Sequence, residues 1–315
     1  MTETPTSIEA LARALGAPVG PTTARFRVEF AAAERHFGEY GFVFPCGALA
    51  VLTLGCGTKF GARVGAFLAS AGLGPDLPET IARLQDEIDD WMLVRVLDTP
   101  TGDIEAGLYF RRSVGVEATQ RILESHGAAR DELDALGDAA RALGTDRVGI
   151  LGVRLRPGRR PVFAPYLHAY EDGTGALAER LARGCARRCQ TDRYWRPFVE
   201  HMHGQAGAVQ AETDRRPEEA AASEVGDAFV SVRGGPHPAL KLDYFHTPLA
   251  LFERALEAGG GLRPGEPKPT EIGAAWGAPY AEHVGVTFTP DGPSRWSLYV
   301  GRPHPPTAAP AEPTP

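Results

Sequence analysis

With 315 residues, 43% of them hydrophobic, the chain is long enough to bury a sizeable core, and a closed α/β barrel of this length folds as one domain. A net charge of −7 and a pI near 5.8 argue against a broad nucleic-acid-binding face. No apolar run approaches the roughly 18–20 residues that cross a bilayer, the opening MTETPTSIEA lacks a basic stretch followed by an apolar one, and the four cysteines form no disulfide-scaffold pattern. The expectation is a cytoplasmic protein with reduced thiols and with neither a membrane nor a nucleic acid as partner.

Along the chain, two short β-type runs around a turn are followed by helical periodicity, and this happens repeatedly. The first pair runs from Tyr40 to Pro45 and from Ala48 to Cys56, with helical patterns at about Ala62–Ala71 and Pro78–Asp90. The second spans Trp91–Asp98 and Ile104–Arg111, then helix from about Gly115 to Leu143. The third spans Arg147–Leu155 and Pro161–Ala169, then helix at Gly175–Cys189 and again at Tyr194–His203. The fourth spans Ala228–Arg233 and Ala239–Phe245, then helix at Pro248–Glu257, and the fifth spans Val284–Thr289 and Trp296–Gly301.

Gly and Pro in each turn set the dihedrals that a chain reversal needs. Three connecting segments lack the bulky apolar residues that a packed element requires: the polar stretch Gly204–Ala221, a linker at Gly259–Pro269, and the Pro-rich end. Residues 1–302 therefore read as one domain and 303–315 as a disordered tail. Ten antiparallel strands with outer helices leave edges to protect unless the sheet closes. The fold expected is α/β (α+β), a ten-stranded antiparallel closed barrel with helices outside and a ligand-sized cavity within.

The later strand of hairpins two to five carries a tyrosine at a similar place, namely Tyr109, Tyr166, Tyr244 and Tyr299. Tyrosine suits strands in general, but four in matching positions predict an aromatic layer lining one cavity. Glu105 precedes Tyr109 by four residues, so the two share a strand face. Lys241 shares a face with Asp243, whereas Tyr244 points the other way, so Lys241 and Tyr244 cannot both point inward from a regular strand.

Two strings carry a resemblance. Leu143-Gly144-Thr145-Asp146-Arg147-Val148 leads to Arg160-Pro161-Val162-Phe163-Ala164-Pro165-Tyr166, and Val284-Gly285-Val286-Thr287-Phe288-Thr289-Pro290 leads to Ser297-Leu298-Tyr299. Together with the repeat order, from about Tyr40 to Arg302, the chain resembles the aromatic prenyltransferases of the ABBA, or PT-barrel, type, and the two strings look like third and fifth repeats of the bacterial phenol and naphthalene prenyltransferases. That resemblance implies five ααββ-type repeats. It also implies transfer of an allylic group from its diphosphate to an aromatic small molecule or a peptide side chain, in natural product biosynthesis.

By the same resemblance Arg160 and Lys241 fall at diphosphate-binding positions, and Tyr166 matches a tyrosine that shields the allylic cation. Two further basic positions of that family fall near Gly107 and Ser297, which are not basic, leaving Lys59, Arg63 or Arg111 as replacements. The acidic magnesium-binding position has no match in Leu49–Cys56, so no cofactor is expected to be required and no metal site is assigned, with magnesium left open as an alternative.

Such a transfer needs cations to stabilise the leaving diphosphate, an aromatic wall to protect the allylic cation, and a base. The expected assignments are Arg160 and Lys241 for the diphosphate, Tyr109, Tyr166, Tyr244 and Tyr299 for the wall, and Glu105 for the base. Arg160 equally reads as an ordinary exposed turn arginine. An alternative function is a repurposed barrel that binds a hydrophobic or peptide ligand without using a prenyl diphosphate. Cys185, Cys189, His201 and His203 have the donor types of a zinc site, but small buried cysteines fit the helical pattern better.

Overall fold

The computed structural model describes residues 19–34, 39–44, 48–56, 58–88, 92–98, 103–110, 113–169, 176–185, 192–204, 228–233, 238–278 and 280–301. The polar stretch expected after Gly204 and the Pro-rich end lie outside these residues.

A first helix, α1 (Pro21–Glu34), leads to a hairpin of β1 (Glu39–Phe44) and β2 (Ala48–Cys56). Helices α2 (Thr58–Ser70) and α3 (Leu77–Glu87) come next, then β3 (Met92–Asp98) and β4 (Ile104–Phe110). A short β5 (Val114–Gly115) enters α4 (Val116–Ser125) and α5 (Arg130–Leu143), followed by β6 (Arg147–Leu155) and β7 (Val162–Ala169). Helices α6 (Ala176–Cys185) and α7 (Asp192–Gly204) precede β8 (Ala228–Arg233) and β9 (Ala239–Pro248). Helices α8 (Leu249–Ala258) and α9 (Pro269–Trp276) precede the last hairpin, β10 (Tyr280–Thr289) and β11 (Gly292–Gly301).

Every pairing is antiparallel, in the order β4-β3-β2-β1-β11-β10-β9-β8-β7-β6-β5. The sheet is curled, and β4 also pairs with β6, with Ala106 opposite Leu155 and Phe110 opposite Leu151. Each of the ten longer strands therefore has a hydrogen-bonded neighbour on both sides.

Strand alternation divides the side chains between two faces. On the convex face Val94 and Val96 of β3, Leu108 and Phe110 of β4, Leu240, Leu242 and Tyr244 of β9, and Val284 and Val286 of β10 join the helices in one continuous core. Each helix meets it with a stripe of its own. In α3, Leu77, Ile81 and Leu84 recur at helical spacing and are buried, each burial stabilising by roughly 1.5–3 kcal/mol.

Four departures from the sequence reading have local causes. The helix expected over Gly115–Leu143 is two helices, because the chain turns at His126–Ala129 with Gly127 at φ +80°. Two helices were not anticipated: α1, and α9, where Pro269 stands in the first turn and the Glu271 carboxylate accepts a hydrogen bond from the Lys268 N–H. The linker expected at Gly259–Pro269 is anchored, since Gly259 and Gly261 lie so close to Trp296 that a Cβ on either would strike the indole. Both strands of the last hairpin begin earlier than expected: β10 from Tyr280, where it pairs with the end of β9, and β11 from Gly292, where a register shift between Thr287 and Phe288 accommodates Pro293.

Candidate active site

The other face of the sheet is concave. Arg295 of β11 reaches Glu105 of β4, and Tyr109 of β4 reaches Tyr166 of β7, although neither pair of strands is adjacent. Side chains of such strands meet only across a hollow. A small apolar pair, Val43 and Leu97, is buried apart from the main core.

Glu105 lies at the centre of an arginine cluster and is 1% exposed. Its Oε1 accepts hydrogen bonds from Arg95 Nη2 at 2.8 Å and from Arg295 Nη1 at 2.7 Å. Its Oε2 accepts from Arg156 Nε at 2.9 Å and from Arg156 Nη2 at 2.7 Å. Arg154 Nε stands 3.7 Å from Oε1. Burial pushes the carboxyl pKa up, but Arg295, Arg95 and Arg154 outweigh it and hold Glu105 well below the usual carboxylate range. Arg95 Nη1 also donates to the Tyr299 hydroxyl at 2.7 Å. Arg95 Nε and Arg295 Nη2 are buried donors that make no hydrogen bond.

A second cluster sits on β7 and β9. Lys241 Nζ lies 2.7 Å from Asp243 Oδ2, donates to the Tyr166 hydroxyl at 3.0 Å, and stands 4.9 Å from the centre of that ring. Burial opposes charge on Lys241, yet Asp243 holds its pKa above the ordinary value, so it stays protonated. Burial pushes the Tyr166 hydroxyl up to about 12 and also raises the Asp243 carboxyl, Lys241 only partly offsetting both.

Among the described residues, five cations, Arg95, Arg154, Arg156, Arg295 and Lys241, thus face two carboxylates, Glu105 and Asp243, an excess of three positive charges within these ion pairs. The field is felt at Tyr299. Burial alone would raise its hydroxyl pKa, but Arg95, Lys241 and Arg295 bring it below the ordinary value.

Beyond the cations the concave face is aromatic. The Tyr109 and Tyr166 ring centres are 6.4 Å apart. Gly107 lies under the Tyr109 ring, where a Cβ would collide with it, and Gly152 lies under the Tyr166 ring, where a Cβ would be tightly fitted. From there a run of rings crosses five strands: His168 to Phe229 (4.8 Å), Phe229 to Phe245 (5.2 Å), Phe245 to His283 (5.4 Å) and His283 stacked on Tyr299 (3.9 Å). At the cationic end a cavity of about 40 Å³ is lined by residues including Arg154, Ala164, Ser231, Arg233, Lys241 and Thr287. That is room for a few waters, so a larger anion entering here displaces the surrounding side chains.

The expected site residues are placed as follows. Tyr109, Tyr166, Tyr299, Lys241 and Glu105 come together on the concave face. Tyr244 does not: it is fully buried on the convex side with its ring 5.8 Å from Phe198, because β9 keeps Lys241 inward and alternation turns Tyr244 outward. Arg160 is also elsewhere. It lies in the exposed turn after β6, hydrogen bonded to the Gly127 carbonyl and the Glu132 carboxylate.

Glu105 is inside, but four arginines hold its carboxylate and lower its proton affinity, which is the direction opposite to that expected of a base. Arg63 is exposed over the Phe30 ring in the helical layer, and Arg111 and the side chain of Lys59 lie outside the described residues. Beside Lys241, the described cations of the concave face are Arg95, Arg154, Arg156 and Arg295, which the sequence reading missed. Arg95 did carry a signal, as the one charge inside the apolar run Met92–Leu97.

Among the described residues, the two carboxylates of the concave face, Glu105 and Asp243, are already held by cations, which does not suit magnesium, while the side chains of Leu49–Cys56 lie outside those residues. Of the four residues considered for zinc, only His201 has a described side chain, which lies 3.4 Å from the Leu251 carbonyl. Among the described residues no cluster of metal-ligating side chains occurs, and no helix is long and apolar enough to cross a membrane.

The curled antiparallel sheet of ten long strands with helices outside is shared with solved structures of aromatic prenyltransferases, which match most of the chain. The prenyltransferase PriB, solved with L-tryptophan and dimethylallyl thiolodiphosphate, is 14% identical over 94% of this chain and 96% of its own, with a TM-score of 0.58. The 5-dimethylallyltryptophan synthase from Streptomyces coelicolor is 13% identical over 92% and 93%, with a TM-score of 0.60. AnaPT from Neosartorya fischeri is 11% identical over 87% and 81%, with a TM-score of 0.53. No family model and no curated protein matches the sequence. At these identities the likeness is one of fold.

Proposed function

We propose that the protein is an aromatic prenyltransferase, with the curled sheet forming a complete barrel of five ααββ repeats. The observation that carries the reading is the surplus of three positive charges on a largely buried face lined with tyrosine. Uncompensated buried charge is costly, and an allylic diphosphate, carrying roughly two to three negative charges at neutral pH, balances it. Arg95, Arg154, Arg295 and Lys241 would hold the diphosphate, Arg156 screening it at the mouth. The unused Arg95 Nε and Arg295 Nη2 donors are suited to its oxygens.

In the reaction the C–O bond between the allylic carbon and the diphosphate breaks, and its electron pair leaves with the diphosphate. The π faces of Tyr109, Tyr166 and Tyr299 stabilise the cation and exclude water. The aromatic acceptor, a small molecule or a peptide side chain, supplies the electron pair of the new bond and then loses a proton. The neighbours solved with a thiolodiphosphate, a diphosphate product or tryptophan support this kind of ligand pair.

The test is incubation with dimethylallyl or geranyl diphosphate and a panel of aromatic acceptors, read by mass spectrometry. A product heavier by one prenyl group is the expected result, and absence of both transfer and diphosphate binding overturns the reading. One observation favours a second reading, a barrel that binds a hydrophobic or peptide ligand without a prenyl diphosphate: Glu105 already fills the arginine cluster. That reading expects retention of an apolar or peptide ligand by a protein indifferent to diphosphate.

A further inference from the structure

With Glu105 saturated by arginines, the transfer reaction needs another proton acceptor, and among the described residues a second carboxylate, Asp243, faces the hollow. Asp243 sits on β9 between Lys241 and Phe245, all three on the concave face by strand alternation. Lys241 belongs to the cationic end, while Phe245 belongs to the run of rings through Phe229, His283 and Tyr299. Asp243 therefore occupies the boundary between the place suited to a diphosphate and the place suited to a flat aromatic molecule. A donor and an acceptor must meet at that boundary for the new bond to form.

The carboxylate is 4% exposed, and its Oδ1 makes no hydrogen bond within the structure. Buried carboxylate oxygens are almost always satisfied, so one without a partner calls for a role. The backbone makes room for it. Gly285 of β10 lies opposite Asp243, and a Cβ there would overlap Oδ1. The carboxylate thus rests on bare backbone with one oxygen toward Lys241 and the other free. Burial raises its proton affinity above that of an exposed aspartate, which is the direction a base requires.

We propose that Asp243 takes the proton that the aromatic acceptor releases after the new bond forms. This rests on the transferase reading above. The pair of electrons in the acceptor's C–H (or heteroatom–H) bond restores the ring or the lone pair, and the proton goes to Oδ1. The departing diphosphate keeps the electron pair of the broken C–O bond. Lys241 remains protonated throughout, and Asp243 returns its proton to water at the open cationic end.

The experiment compares wild type with Asp243→Asn in two assays. The first is calorimetric binding of dimethylallyl thiolodiphosphate. The second is single-turnover transfer from dimethylallyl diphosphate to a panel of tryptophan, tyrosine and a dihydroxynaphthalene, with allylic alcohol from hydrolysis quantified in the same samples. The expected result is thiolodiphosphate binding at least as tight as wild type, undiminished hydrolysis, and prenylated product reduced on the order of 100-fold or more.

Should the unpaired lysine prevent Asp243→Asn from folding, Lys241→Gln is compared with Lys241→Gln/Asp243→Asn, which leaves no lone charge; the same loss of product on adding the second change is expected. Product within a few-fold of the parent in either comparison overturns the assignment. So does a wild type that binds thiolodiphosphate but transfers to no acceptor in the panel. Failure of the wild type to bind thiolodiphosphate would instead bring down the transferase reading itself.

Discussion

Replacing Glu105 with glutamine removes the one negative charge around which Arg95, Arg154, Arg156 and Arg295 gather, at a position 1% exposed. Breaking a buried ion pair by deleting one partner costs about 3–5 kcal/mol. Arg156 is more than half exposed and re-solvates readily, which favours the lower end. At roughly 2 °C per kcal/mol for a chain of this size, the ligand-free protein should melt ~6–10 °C lower.

The same change adds a positive charge to the cluster. At an effective dielectric near 20 and a separation of ~8 Å, one unit charge contributes ~2 kcal/mol to a bound anion, so the variant should bind dimethylallyl thiolodiphosphate about tenfold more tightly or better. Thermal melting with and without thiolodiphosphate reads both effects: a lower starting point and a larger ligand-induced rise. The pH dependence follows from the depressed Glu105 pKa. Its stabilisation is complete above the ordinary carboxylate pKa of ~4.3 and fades as pH falls toward the depressed value, so the gap between wild type and variant should narrow on acidification. Equal melting temperatures and equal affinities at neutral pH would refute the reasoning, because Glu105 would then neither stabilise the arginines nor compete with the ligand.

Lys241→Met removes the cation nearest the tyrosine wall and should weaken thiolodiphosphate binding by about tenfold or more, measured by calorimetry. Arg160→Ala loses only an exposed ion pair with Glu132, so affinity for thiolodiphosphate should stay unchanged and stability should fall by less than ~1 kcal/mol in urea titration. Tyr244→Ala should cost about 3–5 kcal/mol in the same titration, because the ring is wholly buried in the outer core, while Tyr244→Phe leaves thiolodiphosphate affinity unaltered. Gly285→Ala forces a methyl group into Asp243 Oδ1 and should abolish most transfer while retaining donor binding, assayed by product formation and calorimetry.

Much of the architecture was legible because alternation and turn chemistry are local. Seven strands were placed within a residue or two at both ends; β9 runs further at its end, β10 and β11 begin earlier, and the two-residue β5 was not anticipated. Parity alone set Glu105 with Tyr109 and Lys241 with Asp243 on shared faces, and the structure keeps both pairings. The tyrosine layer was legible for Tyr109, Tyr166 and Tyr299 but not for Tyr244. Aligning Leu242-Asp243-Tyr244-Phe245 on its tyrosine shifts that strand by one residue against the face set by Lys241, and a shift of one exchanges inside for outside.

The arginine cluster was not legible, because its members come from β3, β6, the turn after β6 and β11, and only the curling of the sheet brings them to one carboxylate. The same cause hid the fate of Glu105. Sequence shows that it faces inward, but its proton affinity depends on partners as distant in the chain as Arg295. Arg160 illustrates the opposite limit: a string resembling the diphosphate-binding strand continues into a turn whose arginine bonds the adjacent helix.

The most direct measurement is a crystal structure of the protein soaked with dimethylallyl thiolodiphosphate. The diphosphate should lie against Lys241, Arg95, Arg154 and Arg295, with the prenyl chain between Tyr109, Tyr166 and Tyr299 and Glu105 displaced from at least one arginine. An unaltered arginine cluster around Glu105 at saturating ligand, or a diphosphate bound only on the outer surface, would contradict it.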